Sequence, residues 1–509
     1  MLRVKLTVEG PFLTQSSAVG AFGVDSPLAR NAAGTPYIPG TLVKGKLTES
    51  WKELRTAVGV TFAPDTAGWL GGKSGNPGTP GSVAPRRGRL QFSDFLHDQA
   101  VEDRRRYRIK IDSARGAAKE GAYQVIESLS AIGQPIPFHG EIRYLASDNA
   151  EARRIRQYVE VGLRWITTLG AERSIGFGKL TDVQVDDSAT ETVSLGTPPS
   201  EQASGQSNLE FRLSLKSPFC IARKRPNYTL FESEEVIPGG VIKGALASSW
   251  RALLGLGPED ITAGMDQSRG KLCEHFHLVR FSHAFPAVTG GRRPVHRPLS
   301  IVKTGLSGGR EFLDVIHHQE AVLFQGNAPA FAIDWKRGDR GKAPLSSAWP
   351  EVKRELRVRT AINTEKRRAE DEHLFAYEMV VPEGREWVGC IDISRVPNRD
   401  KAQVEVELLS LLRQRIRGIG KTKAHAEVAV SNSETEMEYS SLNPVDECWV
   451  ITLQTPAILC DPAELRAADG EFRSSKDKLW NAYSSVWAQL SGGSVKMENY
   501  FAQQDLSGG

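Results

Sequence analysis

A segment of seventeen residues occurs twice in this chain, and this internal repeat constrains the fold more than any other feature. The first occurrence, at 38–54, is IPGTLVKGKLTESWKEL, and the second, at 237–253, is IPGGVIKGALASSWRAL. Nine of the seventeen positions are identical, and no gap is needed. The repeat therefore predicts a duplicated domain in which the two I-P-G turns are equivalent.

The same order of patterns surrounds the repeat in both copies. A strand-like alternation ending in Pro-Phe precedes it, at 2–12 and at 209–219. Apolar residues at helical spacing follow each I-P-G turn. A second helical stretch and a glycine-rich segment close each copy, LGAERSIGFGKL at 169–180 and RIRGIGKT at 415–422. This order predicts an α+β fold of two tandem ferredoxin-like domains.

The repeat also sets the predicted domain boundaries. A segment rich in Ser, Gly, Pro and Thr separates the copies and is typical of a linker. Residues 449–459, WVITLQTPAIL, alternate again and place Pro456 where the earlier strands have Pro11 and Pro218. They predict a partial third unit or a C-terminal extension. The predicted parts are 1–186 for copy 1, 187–208 for the linker, 209–445 for copy 2 and 446–509 for the last unit.

Composition favours a soluble globular protein, with 40% hydrophobic and 25% charged residues. The net charge of +4 neither requires nor excludes a nucleic acid partner, because binding depends on where the basic residues lie. The five cysteines are scattered without paired spacing, which favours a reducing compartment. No apolar run approaches the roughly 20 residues of a membrane helix. A cytoplasmic location without membrane partners is predicted.

Three segments of copy 1 resemble motifs of the RAMP superfamily of CRISPR proteins, and most of all the backbone subunits of type III effector complexes. They are FGVDSPLARNAAGTPYIPGTLVKGKL at 22–47, RIKIDSARGAAKEGAYQVIE at 108–127 and GAERSIGFGKL at 170–180. The resemblance implies RRM-like domains with loop and hairpin insertions. It further implies binding of CRISPR guide RNA, target RNA and other effector subunits, and a metal-dependent endoribonuclease acting within the complex.

Asp25 is the candidate catalytic residue. By its position before Ser-Pro alone, it could equally start a turn by accepting backbone hydrogen bonds. The resemblance implies that Asp25 cuts target RNA, with Mg²⁺ as the cofactor and Asp25 as a ligand. The corresponding loop of copy 2 is eight residues shorter and contains no aspartate. Its acidic residues lie too near the turn to replace Asp25; they are Glu232, Glu234 and Glu235. Copy 2 is therefore predicted to bind without cutting.

Basic and glycine residues supply the predicted RNA contacts. A helix that starts after I-P-G offers backbone N–H groups and a lysine to a phosphate, although the turn could serve packing alone. The glycine-rich loop could approach an RNA backbone or brace a domain edge. The predicted RNA-binding residues are Lys44, Lys46, Arg108, Arg173, Lys179, Lys243 and Lys421. The predicted loop glycines are Gly170, Gly176, Gly178, Gly418 and Gly420.

Two alternative functions and one metal site follow from other residues. The first alternative is a non-catalytic RAMP subunit that caps or bridges the complex, and the second is a guide-processing ribonuclease, for which His317 and His318 are candidates. Cys273, His275 and His277 suggest zinc, but they lack the paired spacing of a closed tetrahedral site. Zinc is not expected.

Overall fold

The computed structural model describes residues 1–15, 23–73, 85–86, 88–97, 103–144, 146, 148–187, 206–227, 230–256, 259–295, 298–303, 312–316, 330–331, 349–363, 368–414, 416–431, 448–459 and 476–502. Two compact units divide the chain. The first consists of Met1–Ser282, Val352–Glu383 and Cys390–Ser431. The second consists of His283–Glu351, Gly384–Gly389 and Asn432–Gly509.

Copy 1 folds around one antiparallel sheet. Its elements are β1 Leu2–Glu9, β2 Tyr37–Ile38, α1 Gly40–Val58, α2 Thr66–Leu70, β3 Gly72–Lys73, β4 Pro85–Arg86, β5 Gln91–Phe92, β6 Phe95–Leu96, β7 Asp103–Ile111, β8 Ala118–Leu129, β9 Pro135–Arg143, α3 Asn149–Arg164 and β10 Lys179–Asp187. The sheet order is β10-β1-β9-β6-β2, with β5 also paired to β9. The last strand thus lies beside the first, as in a ferredoxin-like domain.

The helices of copy 1 pack on that sheet through the predicted apolar stripe. Val43, Leu47 and Trp51 of α1 are buried. Trp51 donates its indole N–H to the carbonyl oxygen of Tyr158 in α3, at 2.8 Å. A Cβ atom on Gly162 of α3 would lie 2.5 Å from that indole nitrogen, so the two helices can approach only because Gly162 has no side chain.

The rest of the chain repeats this topology and then adds further elements. They are β11 Asn208–Leu215, β12 Ala222–Asn227, β13 Leu230–Ser233, α4 Gly239–Leu253, α5 Gly270–His275, β14 Arg280–Phe281, β15 Phe285–Val288, β16 Ile301–Lys303, β17 Phe312–Asp314, β18 Ala330–Phe331, β19 Lys353–Asn363, β20 Arg368–Val381, β21 Arg385–Asp392, α6 Asn398–Leu412, β22 Ile416–Ile419, β23 Ala424–Ser431 and α7 Lys476–Leu490. The sheet order is β14-β21-β11-β23-β22. Strands β11, β14, β21 and β23 therefore take the places of β1, β6, β9 and β10 of copy 1. This order confirms the predicted α+β fold.

The predicted third repeat start forms no strand in the structure. Residues 449–459 have no strand pairing, and several of their apolar side chains are exposed, Ile458 by 89%. Alternation alone does not make a strand, because a strand needs a neighbour to satisfy its backbone groups. Within the described ranges, no helix combines the length and apolar character that a membrane crossing requires.

Candidate nucleic-acid interface

A long β-hairpin is inserted between the second and third sheet strands of each copy. In copy 1, Phe12 and Leu129 exchange backbone hydrogen bonds of 3.2 and 2.9 Å, which tie the end of β8 to the segment after β1. In copy 2, Phe219 and Val380 exchange bonds of 3.0 and 2.9 Å at the end of β20. The hairpins β7–β8 and β19–β20 are therefore equivalent elements.

Asp25 lies in a loop, residues 23–36, whose first part pairs with β8, the second strand of the copy 1 hairpin. The backbone N–H of Asp25 donates to the carbonyl oxygen of Val125 at 3.0 Å. The Oδ2 atom of Asp25 accepts a 2.7 Å hydrogen bond from the N–H of Val125. Asp25 is nevertheless exposed, and within the described residues its Oδ1 atom accepts no hydrogen bond. The carboxylate therefore fixes the loop through Oδ2, while the residue as a whole is exposed.

The same loop-to-hairpin pairing occurs in copy 2 with a different residue. In copy 1, Ser26 forms a parallel bridge with Ile126 of β8. In copy 2, β13 pairs in parallel with β20, with Leu230 opposite Ala376 and Phe231 opposite Tyr377. By this register, Leu230 occupies the position of Asp25. The loop of copy 2 thus has no aspartate, and it has an apolar residue at the position equivalent to Asp25.

The acidic residues of the copy 2 loop serve other contacts. Glu235 is buried and forms an ion pair of 3.1 Å with Arg354 of β19. Glu232 lies in β13 and is paired with Lys224 of β12 in the strand register. The backbone N–H of Glu234 donates to the carbonyl oxygen of Ile221 at 2.8 Å.

The copy 1 hairpin presents aromatic and apolar side chains to solvent. Tyr107 and Tyr123 are stacked, with ring centroids 5.9 Å apart and ring planes 22° apart. Their exposed fractions are 62% and 60%, and Ile109 and Ile111 are also more than half exposed. Exposed rings on a basic strand are a suitable surface for stacking RNA bases.

Arginines of the hairpin contact the glycine-rich loop of copy 1. Arg108 forms a 2.7 Å ion pair with Glu172. The guanidinium of Arg106 lies 5.8 Å from the centroid of the Phe177 ring, and its Nε donates to the hydroxyl of Ser128 at 3.1 Å. These contacts join the hairpin to the loop, so Glu172 would compete with a phosphate for the Arg108 guanidinium.

Two glycines of this loop are required by close backbone contacts. A Cβ atom on Gly170 would lie 2.3 Å from the carbonyl oxygen of Leu13, and one on Gly178 would lie 1.9 Å from that of Leu169. Both residues have positive φ angles, 88° and 68°. Gly176, with φ of 92°, faces open space. The loop therefore braces the domain edge through Gly170 and Gly178, Phe177 is buried in the core, and Arg173 is exposed.

The backbone contacts of the two glycine-rich segments give a different residue-by-residue alignment from the one that sequence similarity suggests. In copy 2, a Cβ atom on Gly420 would lie 2.4 Å from the carbonyl oxygen of Cys220, the residue equivalent to Leu13. Gly420 thus corresponds to Gly170 in structure. By sequence, Gly418-Ile-Gly420-Lys421 is instead similar to Gly176-Phe-Gly178-Lys179 of copy 1. Lys421 lies in a shorter loop with its ammonium 5.0 Å from the Phe231 ring centroid, and it is not the counterpart of Lys179.

Close packing also explains the glycines of the two I-P-G turns. A Cβ atom on Gly40 would lie 2.3 Å from the carbonyl oxygen of Ser93, and one on Gly239 would lie 1.9 Å from that of Phe281. The backbone N–H of Gly40 donates to Oδ1 of Asp94 at 3.0 Å. A carboxylate of the chain itself thus occupies the anion position predicted at the start of α1.

Lys44 and Lys243 occupy the same position in the two repeats but have different surroundings. The Lys243 ammonium donates to the carbonyl oxygen of Val279 at 2.7 Å and lies 4.9 Å from the Phe276 ring centroid. Burial lowers the pKa of Lys44 below its ordinary value, and the charge of Lys423 from copy 2 lowers this pKa further. Within the described residues, the Lys44 ammonium has no hydrogen-bond acceptor. An anion at Lys44 would relieve both effects.

Two further predicted lysines form surface ion pairs. Lys46 lies 2.6 Å from Glu49 on the same helix. Lys179 lies 3.3 Å from Glu9 of β1 and is 65% exposed at its side chain. Such pairs contribute little to stability and exchange readily with another anion. For all these lysines and arginines, binding to RNA stays a prediction.

Comparison with known proteins agrees with the duplicated fold. A family model described as the RAMP superfamily matches residues 5–181 and 212–424. The chain belongs to the RAMP superfamily. No curated protein matches it. Among solved structures, it is similar to a chain of "Cryo-EM structure of the Type III-B Cmr-beta bound to cognate target RNA", with 17% identity and a TM-score of 0.26. That match covers 36% of this chain and 59% of the other.

The Cys and His residues considered for zinc in this RAMP protein do not form a cluster in the described part of the chain. No group of three or more His, Cys, Asp or Glu residues there could hold a metal ion. His275 Nε2 instead lies 3.0 Å from Oδ2 of Asp400, where it joins α5 to α6. His317 and His318 lie outside the described residues.

Sequence patterns missed a contact between the two RAMP copies. Arg357 of β19 forms a 2.6 Å ion pair with Asp94 of copy 1 and lies 4.9 Å from the Tyr37 ring centroid. Arg357 corresponds to Arg106 in the hairpin register, and both lie in runs of charged residues typical of a solvated strand. No local signal distinguishes a residue that will contact another domain.

Proposed function

We propose that this RAMP protein binds CRISPR guide RNA as a backbone subunit of a type III effector complex and cleaves complementary target RNA through Asp25. The observation that carries the proposal is the state of the Asp25 carboxylate. One oxygen is held at 2.7 Å by Val125, and the exposed group is thereby fixed at the base of the hairpin. Motif resemblance and membership of the RAMP superfamily support RNA as the ligand.

Fixation of this carboxylate would serve catalysis as well as the structure of the loop. A group held by a backbone N–H is oriented before RNA arrives, which lowers the entropy that must be lost in the reaction. The oxygen Oδ1 would accept the proton of an attacking 2'-hydroxyl or hold Mg²⁺. Mg²⁺ commonly binds through one or two carboxylates together with water and substrate phosphates, so a single aspartate fits this ion. Bound Mg²⁺ would neutralise charge on the scissile phosphate.

The asymmetry of the two copies limits the proposed cleavage to copy 1. Leu230 has no group that can accept a proton or hold a cation. Copy 2 would therefore contribute binding, through Lys421 and its neighbours, but no cut. Each molecule of this protein in the complex is therefore expected to cut the target at one position.

The test is cleavage of a labelled complementary RNA by the assembled complex, with and without Mg²⁺. Asp25→Asn preserves an acceptor for the Val125 N–H but removes the charge, whereas Asp25→Ala removes both. Both variants should abolish the cut assigned to copy 1 while guide and target binding stay near wild type. Glu232→Gln in copy 2 is the matched control and should cut normally.

Undiminished cutting by Asp25→Asn would exclude the carboxylate as the catalytic group. The protein would then belong to the non-catalytic class of subunit that caps or bridges the complex. A loss of cleavage in Asp25→Ala alone, with activity retained in Asp25→Asn, would assign Asp25 to loop structure only.

A further inference from the structure

The Asp25 loop is anchored at two places, one in each copy. Its first part, at residues 25–28, bonds to the second strand of the copy 1 hairpin, where Leu28 N–H donates to the Glu127 carboxylate at 3.0 Å. Its second part is a tight turn. The side chain of Asn31 accepts hydrogen bonds from the N–H groups of Ala33 and Thr35 at 3.0 and 2.9 Å.

The copy 2 hairpin contacts this tight turn. The carboxyl of Glu355 in β19 lies near the backbone N–H of Ala32, which lowers the pKa of this carboxyl. Two residues later, Arg357 bonds to Asp94 and covers the ring of Tyr37, which ends the loop. The side chains of Glu355 and Arg357 are only 11% and 14% exposed, so these contacts exclude water.

Each member of this group has a second contact that fixes it. Asp94 uses one oxygen for Arg357 and the other for the N–H of Gly40 at the start of α1. Glu355 Oε1 lies 2.6 Å from Arg357 Nε, although the two atoms are not aligned for a hydrogen bond. The guanidinium thus lies between two carboxylates and links the copy 2 hairpin to Tyr37 at the end of the loop and to Asp94 beside the start of α1.

We propose that Glu355 and Arg357 of the non-cutting copy are positioning residues for Asp25, because they hold the far end of the loop that carries it. This inference rests on the proposed function for its catalytic consequence, but not for the anchoring itself. It gives copy 2 a role beyond RNA binding: its hairpin completes the site of copy 1.

Hydrogen exchange of the loop tests the anchoring independently of activity. Arg357→Ala and Glu355→Ala should each raise amide exchange across residues 30–36 by about tenfold, since each removes a charge-assisted contact. In single-turnover cleavage at saturating target, both should slow the cut by about tenfold without weakening target binding. Arg354→Ala is the control, because Arg354 lies on the same strand but bonds to Glu235 within copy 2. It should leave the exchange of the loop unchanged.

A conservative variant separates positioning from general damage to the hairpin. Arg357→Lys keeps a positive charge for Asp94 and Glu355, so it should retain more of the exchange protection and cleavage than Arg357→Ala. Unchanged exchange in Arg357→Ala and Glu355→Ala, or an equal effect of Arg354→Ala, would overturn the inference whatever the cleavage data show. If the wild-type complex does not cut, the proposed function fails, and hydrogen exchange still decides whether copy 2 holds the loop.

Discussion

Lys44 and Lys243 stand at the same position of the repeated helix, but only Lys243 is bonded to a backbone carbonyl in the described structure. Lys243 donates to Val279 and thereby ties α4 to the segment before β14. Lys44 is partly buried beside the like charge of Lys423. A charge that is desolvated without a hydrogen-bond acceptor destabilises the folded protein until an anion binds.

We therefore expect opposite effects when the two lysines are changed to methionine. Lys44→Met should leave thermal stability equal to or higher than wild type, yet weaken RNA binding and reduce the slope of log K against log salt by about 0.7. Lys243→Met should lower the free energy of unfolding by about 1.5–3 kcal/mol, because a charge-assisted hydrogen bond is lost. Thermal melts and a salt titration of RNA binding check both. A destabilised Lys44→Met with unchanged affinity would show that Lys44 is a packing residue.

The three loop glycines should differ in their tolerance of alanine. Gly176→Ala has open space and should cost about 1 kcal/mol for the positive φ alone. Gly170→Ala and Gly420→Ala add clashes with the carbonyl oxygens of Leu13 and Cys220, and should cost at least about twice as much. Urea unfolding of the three variants measures the difference. Equal costs would mean that the loop relaxes and that neither glycine braces the domain edge.

The contact between the copies should depend on pH through Glu355. Burial raises the pKa of this carboxyl above its ordinary value of 4.5, and nearby Asp94 raises it further, while Arg357 and the Ala32 N–H lower it. A raised folded-state pKa gives stability that is present below 4.5 and lost as pH rises through the raised value. Glu355→Gln keeps an acceptor for Ala32 without the charge. Its melting temperature relative to wild type should therefore increase from acidic to neutral pH, and a constant difference would contradict this.

Sequence predicted the architecture because the features that set it are local and repeated. The seventeen-residue match placed equivalent I-P-G turns, and the structure gives the reason, since Gly40 and Gly239 each touch a strand carbonyl. Residues that carry inter-copy contacts have no such signal. Asp94 and Arg357 lie 263 positions apart, and their pairing depends on how two hairpins and two sheets are placed.

Sequence similarity alone does not give the residue-by-residue alignment of the two glycine-rich loops. The similarity of Gly176-Phe-Gly178-Lys179 to Gly418-Ile-Gly420-Lys421 suggests one register, whereas backbone contacts make Gly420 equivalent to Gly170. Backbone hydrogen bonds to the segment after the first strand fix that register, and a shorter loop in copy 2 then moves its lysine elsewhere. For Asp25, the sequence allowed two roles, that of a turn residue and that of a catalytic residue. The hydrogen bond from the Val125 N–H shows that the carboxylate does have a structural contact.

Glu172 should compete with RNA for Arg108. Their ion pair is partly exposed, so Glu172→Gln should change stability by less than about 1 kcal/mol. If Arg108 binds a phosphate, the variant should bind RNA more tightly, because the phosphate no longer competes with a carboxylate for the guanidinium. Filter binding at several salt concentrations measures the gain. Removal of any negative charge near RNA could raise affinity, so the decisive comparison is Glu172→Gln in an Arg108→Ala background. There the gain should vanish, and a gain of the same size would mean that Glu172 acts on RNA by long-range repulsion and that Arg108 makes no phosphate contact.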